Sequence, residues 1–243
     1  MTRLDQLLVE CGEAASLKEA SALVMTGTVL VDDRVVDKPG TLVSTSSIIR
    51  IKRRLAYVSR GGLKLEAALS RFNISPSDWV CADIGAAAGG FTDCLLQAGA
   101  RRVYAIDVAY GMLDWKLRTD PRVVVIERCN VRQLSDEHID RPLDLAVFDT
   151  SFISLTKVIP PVIPFFRDRS IRIVALVKPQ FECAKEYVAR GGVVENEHHR
   201  LEAVEQVCSF CAGLGLVDRG FMESPITGAK GNREYLIYLV GRP

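Results

Sequence analysis

No stretch of this 243-residue chain approaches the roughly 20 consecutive apolar residues that a membrane-spanning helix requires. The longest candidate, VIPPVIPFF at 158–166, is short and interrupted by Pro160, Pro161 and Pro164. A charged-then-apolar leader is missing too, so the chain reads as cytoplasmic, with no stable membrane insertion. Strong charge of either sign is also lacking. The formal net charge is +1, so any nucleic-acid surface must come from how the charges are distributed. Seven cysteines, an odd number in mostly apolar segments, suit reduced, buried thiols better than disulfides. Cys208 and Cys211 form a lone CxxC with no second pair, which favours core packing over zinc, and no metal site is expected. What remains, 48% hydrophobic and 25% charged, is ordinary for a globular chain. Its length suits one large domain, or one large and one small, with a core that needs no staples.

Residues 1–56 differ from the rest. LDQLLVECG (4–12) is apolar at helical spacing and stops at Gly12. Ser16 opens a second helix running to Gly27, with Glu19 three residues on as a capping box. VLVDDRVVDKPG (29–40) reads as a hairpin about Asp32-Asp33, and SIIRIKRR (47–54) as one more strand. Two short helices followed by a small hairpin sheet resemble the ribosomal-protein S-four-like RNA-binding module, most closely over KEASALVMTGTVLVDDRVVDKPG (18–40). Six basic residues and no acidic one lie between Arg50 and Lys64. This stripe would hold a phosphate backbone and guide it towards the following module. The residues expected to touch RNA are Arg3, Lys18, Lys52, Arg53, Arg54 and Arg60.

From about residue 78 the pattern changes to strands alternating with helices. Strands are expected at 79–85, 102–108, 122–127, 143–149, 171–178, 214–223 and 233–240. Helices are expected from Gly90, near 111–118, around 153–158 and over 197–213. Such alternation implies an α/β fold, a doubly wound and mostly parallel sheet with helices on both faces. No helix separates 214–223 from 233–240, so that pair is expected to be antiparallel. One reversed strand near the end of the sheet points to a Rossmann-like class I methyltransferase rather than a dehydrogenase. The resulting division is 1–56 as the small α+β RNA-binding domain and 57–243 as the methyltransferase domain.

Open α/β sheets bind ligands at the carboxyl ends of their strands, and DIGAAAGGFTD (83–93) occupies that position after the first strand. It lacks full GxGxxG spacing, which favours the methionine part of S-adenosylmethionine over a pyrophosphate. The contacts expected here are Asp83, Gly85, Ala86, Gly89, Gly90 and Phe91. Asp107, 24 positions after Asp83, would accept hydrogen bonds from the cofactor's ribose hydroxyls, with Val108 beside it. Asn130 and Val131 would read and pack the adenine, and Asp149 would border both cofactor and acceptor.

Four punctuated segments, SRGGLKLE (59–66), FDTSFISL (148–155), LVKPQFE (176–182) and GNREYL (231–236), carry Lys64, Asp149, Lys178 and Glu234. A Lys-Asp-Lys-Glu set of this kind serves ribose 2′-hydroxyl methylation. From residue 2 to residue 241 the chain resembles the TlyA family, known as haemolysins and as rRNA 2′-O-methyltransferases. Its larger part is similar to the FtsJ-type RNA methyltransferases. The phrases that carry the resemblance include YVSRGGLKLEAAL, DIGAAAGGFTD, AIDVAYGMLDWKLR, DTSFISL, LVKPQFE, GGVVENEHH and SPITGAKGNREYL. One departure is Ala87-Ala88, where the family commonly has Ser-Thr.

The resemblance implies S-adenosylmethionine as cofactor and ribosomal RNA or ribosomal subunits as partner. In this reading Lys178, flanked by Lys64 and partly desolvated, keeps a neutral fraction that accepts the hydroxyl proton. Asp149 and Glu234 orient the two ammonium groups. Phe152 and Phe181 are expected to pack, with stacking on a base the alternative for either ring, and Tyr110 and Trp115 are expected in the core. Two other readings stand beside this one: an RNA- or ribosome-binding protein with a degenerate catalytic domain, and a membrane-active haemolysin.

Overall fold

A strand covered on both faces has no room for polar alternation, and VCADI at Val80–Ile84 is buried at every position. This strand is the middle of the larger of two units, 1–55 and 56–243. The structure is a computed structural model that describes residues 1–51, 56–167 and 170–241.

The smaller unit begins with β1 (Thr2–Arg3), α1 (Leu4–Glu10) and α2 (Leu17–Met25). The Ser16 hydroxyl accepts the Glu19 N–H, and the Glu19 carboxylate turns back to the N–H of Ala15, one residue before the position a capping box requires. β2 (Val29–Val31) and β3 (Arg34–Val35) meet through Asp32 and Asp33, both at positive φ, as a primed hairpin turn demands. β4 (Leu42–Val43) pairs with β1, and β5 (Ile49–Ile51) with β2. Leu4, Leu8, Ala20, Val24 and Val29 form its core. The rest of the expected last strand, including Lys52, Arg53 and Arg54, lies outside the described residues.

The larger unit opens with α3 (Gly61–Arg71), a helix in the segment 57–78, to which the sequence pattern assigns no element. Two glycines begin it and Lys64 lies on its buried face with Leu65, Ala68 and Leu69, which disguises the apolar stripe. Then come β6 (Val80–Ile84), α4 (Gly90–Gln97), β7 (Arg102–Ile106), α5 (Trp115–Arg118) and β8 (Val123–Ile126). β9 (Leu145–Phe148), α6 (Leu155–Val158), β10 (Ile171–Val177), α7 (Pro179–Glu182) and α8 (Glu197–Gly213) follow. β11 (Val217–Glu223) and β12 (Tyr235–Gly241) close the unit. The Pro-broken run 158–166 becomes a 3₁₀ segment, Pro160–Phe166, and Cys208 and Cys211 pack from α8 into the core.

The sheet runs β11-β12-β10-β9-β6-β7-β8. The five strands from β10 to β8 are parallel, and β12 is antiparallel to both β10 and β11. Alternate residues of β6 supply two cores. Val80, Ala82 and Ile84 pack with Phe148 and Phe166 on one face, and Cys81 with Leu65 and Leu95 on the other. Full burial of a Phe side chain contributes about 2–3 kcal/mol. The reversal of β12 matters for the site. Tyr235 is paired with Val177, so Glu234, which enters β12, lies at the same sheet end as Lys178, which leaves β10.

Candidate active site

The parallel strands point their carboxyl ends at one rim, and each hands a polar or small residue to it: Gly85 after β6, Asp107 after β7, Asn130 beyond β8, Asp149 after β9 and Lys178 after β10. Gly85 sits at φ +86°, and a Cβ there would lie 2.7 Å from the Asp149 backbone oxygen, so only glycine fits. Ala87 N–H donates to Asp107 Oδ2 at 2.8 Å and Ala109 N–H to Oδ1 at 2.7 Å. Those two bonds fix the Asp107 carboxylate while leaving lone pairs for further donors.

Two adjoining cavities occupy this rim. One of about 290 Å³ is lined by Gly85, Ala87, Asp107, Val108, Asn130, Val131 and Asp149, among others. The second, about 210 Å³, is bordered by Ser59, Gly61, Ala86, Gly90, Phe91 and Lys178. Gly85, Ala87, Asp149 and Ser151 line both. Val108 is exposed, and the Asn130 side chain also accepts the Arg132 N–H at 3.1 Å. A larger cleft of about 910 Å³ lies at the opposite end of the sheet beside Ile171 and Gly241, away from these residues.

Lys64, Asp149, Lys178 and Glu234 form two ion pairs. Lys178 Nζ lies 2.6 Å from Asp149 Oδ1 and donates to Ser151 Oγ at 2.8 Å, on the wall of the smaller cavity. Lys64 Nζ, on α3, donates to Glu234 Oε2 at 2.5 Å, and both side chains are almost entirely covered. This second pair borders neither cavity. Taking two charges out of water is repaid only by good geometry, and removing one partner strands the other. Ser151, absent from the sequence-based candidates, is the added member. Its only signal is a small polar residue two places after Asp149.

Two further carboxyls shape the site from behind. Asp83 is fully buried, with Oδ2 accepting the Thr92 hydroxyl at 2.6 Å and Oδ1 without a partner. Burial pushes its pKa up to about 7, the Thr92 hydrogen bond opposes this, and the Asp149 and Asp107 carboxylates add to it. It faces α4 rather than the cavities, and Gly89, the N-cap of that helix, lines neither cavity and packs against Leu113 and Leu117. Glu182 is likewise raised, by burial first and against its bonds from the Ser154 hydroxyl (2.6 Å) and the Leu155 N–H (2.8 Å). It ties the 149–155 segment to α7, directly after Lys178.

Three of the four aromatic residues expected to pack are on the outside, while Phe181 is half-buried. Phe152 is 90% exposed at φ +64°, a left-handed backbone that turns its ring outward, 5.1 Å from Phe181. Trp115 and Tyr110 are 74% and 66% exposed, with the Arg128 guanidinium 4.3 Å over the Tyr110 ring. Their segments follow β7 and β9 into rim loops, where no second layer covers them.

Of the expected RNA contacts, Arg3, Lys18 and Arg60 lie among the described residues. Arg3 is bound to Asp5 through two hydrogen bonds of 3.0 and 2.7 Å, so its charge is locally matched. Lys18 is exposed on α2, and Arg60 donates to the Thr227 carbonyl at 3.5 Å. Among the described residues no cluster of three potential metal ligands occurs, and no helix is long and apolar enough to cross a membrane.

Residues 57–240 match the family model of the FtsJ-like methyltransferases, and residues 2–49 match that of the S4 domain. TlyA of Mycobacterium tuberculosis, a 16S/23S rRNA (cytidine-2'-O)-methyltransferase, is 44% identical over 98% of this chain and 89% of that protein. Hemolysin A of Brachyspira hyodysenteriae is 37% identical over 98% of this chain and 99% of that one. A solved Streptococcus thermophilus structure with a hemolysin name matches with TM-score 0.76 at 39% identity, covering 99% of this chain and 88% of its own.

Proposed function

The chain belongs to the FtsJ-like methyltransferase family, within it to the TlyA group, and on that premise we propose that it is an S-adenosylmethionine-dependent 2′-O-methyltransferase of ribosomal RNA. The observation that carries this reading is the Lys178 side chain, 8% exposed on the wall of the smaller cavity and held by Asp149 and Ser151, which line both cavities. A buried amine facing a cavity is suited to proton transfer. The smaller unit, with its match to the S4 domain, serves as the RNA-binding module in this reading.

The residues at the rim suit the cofactor. Gly85 clears the backbone for close approach, the fixed Asp107 carboxylate offers acceptors to a ribose diol, and Val131 lines an apolar slot beside Asn130. The Ala87-Ala88 departure removes two hydroxyls, yet Ala87 still reaches Asp107 through its backbone N–H. When bound, the cofactor would supply an activated sulfonium methyl as the electrophile for the 2′-oxygen.

Everything else falls to the chain. Lys178 Nζ is the base of this reading, taking up the hydroxyl proton, with Asp149 beside it to stabilise the positive charge. Ser151 fixes the amine's direction. Lys64 and Glu234, a covered pair outside both cavities, brace α3 against the start of β12 beside the site. In-line placement by these groups supplies several kcal/mol of the barrier reduction. The exposed Phe152 ring, backed by the half-buried Phe181, offers a splayed base a stacking surface.

The test is transfer of labelled methyl from S-adenosylmethionine to unmodified small and large ribosomal subunits, with Lys178→Ala as control. Label that survives in an alkali-resistant dinucleotide and disappears in the control supports the reading and identifies the subunit. Binding to ribosomes without transfer would instead favour an RNA-binding protein. Leakage of liposomes by the purified protein would favour the activity its hemolysin-named relatives suggest.

A further inference from the structure

Two phrases of the sequence are not used by this chemistry, GGVVENEHH (191–199) and the loop SPITGAKGN (224–232) that leads into Glu234. Asn232 joins them. It is 3% exposed and makes three side-chain hydrogen bonds: Oδ1 accepts the Val194 N–H at 3.2 Å, and Nδ2 donates to the Gly192 carbonyl at 2.8 Å and the Ala229 carbonyl at 3.2 Å. One N–H and two carbonyls fix which way the amide points. Its backbone adds another tie, with the Gly228 N–H donating to its carbonyl at 2.8 Å.

The clamped loop presses on the site. A Cβ on Gly228 would lie 1.9 Å from Glu234 Oε1, so the backbone at 228 rests directly against the carboxylate that pairs with Lys64. From the other side the buried Arg200 donates to the Val194 carbonyl at 3.1 Å and reaches the Tyr235 hydroxyl at 3.4 Å. The loop over Glu234 is therefore held through Asn232 to the 192–194 turn, and that turn through Arg200 to the residue after Glu234.

We propose that Asn232 is a positioning residue: it clamps the 228–232 loop over Glu234 and thereby keeps the Lys64–Glu234 pair covered and aligned for methyl transfer. The functional half of this inference rests on the reading that the Lys64 pair serves that reaction. Asn232→Ala removes all three bonds. Asn232→Asp keeps one acceptor but faces an anion towards two carbonyls, and is expected to be the more damaged. Gly228→Ala disturbs the same carboxylate while leaving Asn232 in place.

The experiment measures, in the full-length protein, kcat for methyl transfer, cofactor affinity, and the labelling of Lys64 by an amine-reactive ester, read by mass spectrometry against the exposed Lys18. Asn232→Ala and Gly228→Ala should each lower kcat by about a hundredfold, the scale of a misplaced reacting group. Cofactor affinity should be unchanged and Lys64 labelling should rise severalfold. Wild-type kcat in a folded Asn232→Ala overturns the inference and leaves the methyltransferase reading intact. So does a loss that falls equally on cofactor affinity, since that marks general unfolding. If the wild type transfers no methyl, the reading itself fails. Labelling then decides the clamp alone, with unchanged Lys64 reactivity in both variants refuting it. If Asn232→Ala does not fold, Gly228→Ala carries the comparison.

Discussion

Replacing Asp83 by Asn separates two roles for a residue that the sequence offers as a cofactor contact and the structure encloses completely. An aspartate in an unfolded chain titrates near about 3.9. In the folded protein burial raises Asp83 to about 7, with Asp149 and Asp107 adding to the shift and Thr92 opposing it. The folded state thus binds the proton more tightly than the unfolded state. The resulting stability is fully present below the unfolded value and is lost as pH rises through about 7. Roughly three units at about 1.4 kcal/mol each set a ceiling of about 4 kcal/mol, of which about 3 kcal/mol lies between pH of about 5 and about 8. Asn carries no charge to bury, and its amide oxygen can still accept the Thr92 hydroxyl. Asp83→Asn, which has no such dependence, is therefore expected to gain about 3 kcal/mol on wild type between about pH 5 and about pH 8, the two proteins converging only below about pH 4. Urea unfolding of both proteins at the two pH values measures this, and the histidines cancel in the difference. Cofactor affinity, followed by calorimetry, should not change. Parallel pH dependence in the two proteins would refute the burial argument, and a large loss of cofactor affinity would return Asp83 to the binding site.

Lys178→Arg should keep cofactor and RNA binding but lose turnover, because a guanidinium pairs with Asp149 yet stays protonated; retained turnover would sink the base assignment. Lys64→Met strands Glu234 in the interior and should cost about 3–5 kcal/mol in chemical denaturation. Adding Glu234→Leu should recover much of that stability without restoring activity, and a single variant as stable as wild type would contradict the burial of the pair. Phe152→Ala, at an exposed ring, should leave stability alone and weaken RNA binding by about 1–3 kcal/mol if a base stacks there. An unchanged KM for ribosomal subunits would remove Phe152 from the acceptor surface.

Much of the fold is legible because its signals are local. Buried parallel strands announce themselves as continuous apolar runs, such as IRIVALV in β10, and the positive-φ pair Asp32-Asp33 marks its own hairpin. The Gly85 loop is readable for the same reason: only glycine tolerates the backbone there. α3 is not, because its buried face carries Lys64, a charge whose partner is Glu234, far along the chain. Phe152 misleads in the other direction, since hydrophobicity predicts packing while a left-handed backbone turns the ring to solvent. Asp83 misleads through its neighbours. It adjoins the cofactor loop in sequence, but strand alternation turns it with Cys81 towards the opposite layer and Thr92.

The sequence by itself determined which residue types stand at the strand ends, hence the α/β class and three of the four charged candidates, Asp149, Lys178 and Glu234. Tertiary structure alone decided who pairs with whom. Lys178 meets Asp149 because β9 and β10 are adjacent and parallel, which brings their exits to one rim. Lys64 meets Glu234, 170 positions away, because β12 enters the sheet antiparallel to β10 and so begins where β10 ends. No local periodicity encodes that reversal. It follows from a loop without a helix, which leaves the last strand no crossover and therefore only the antiparallel way back.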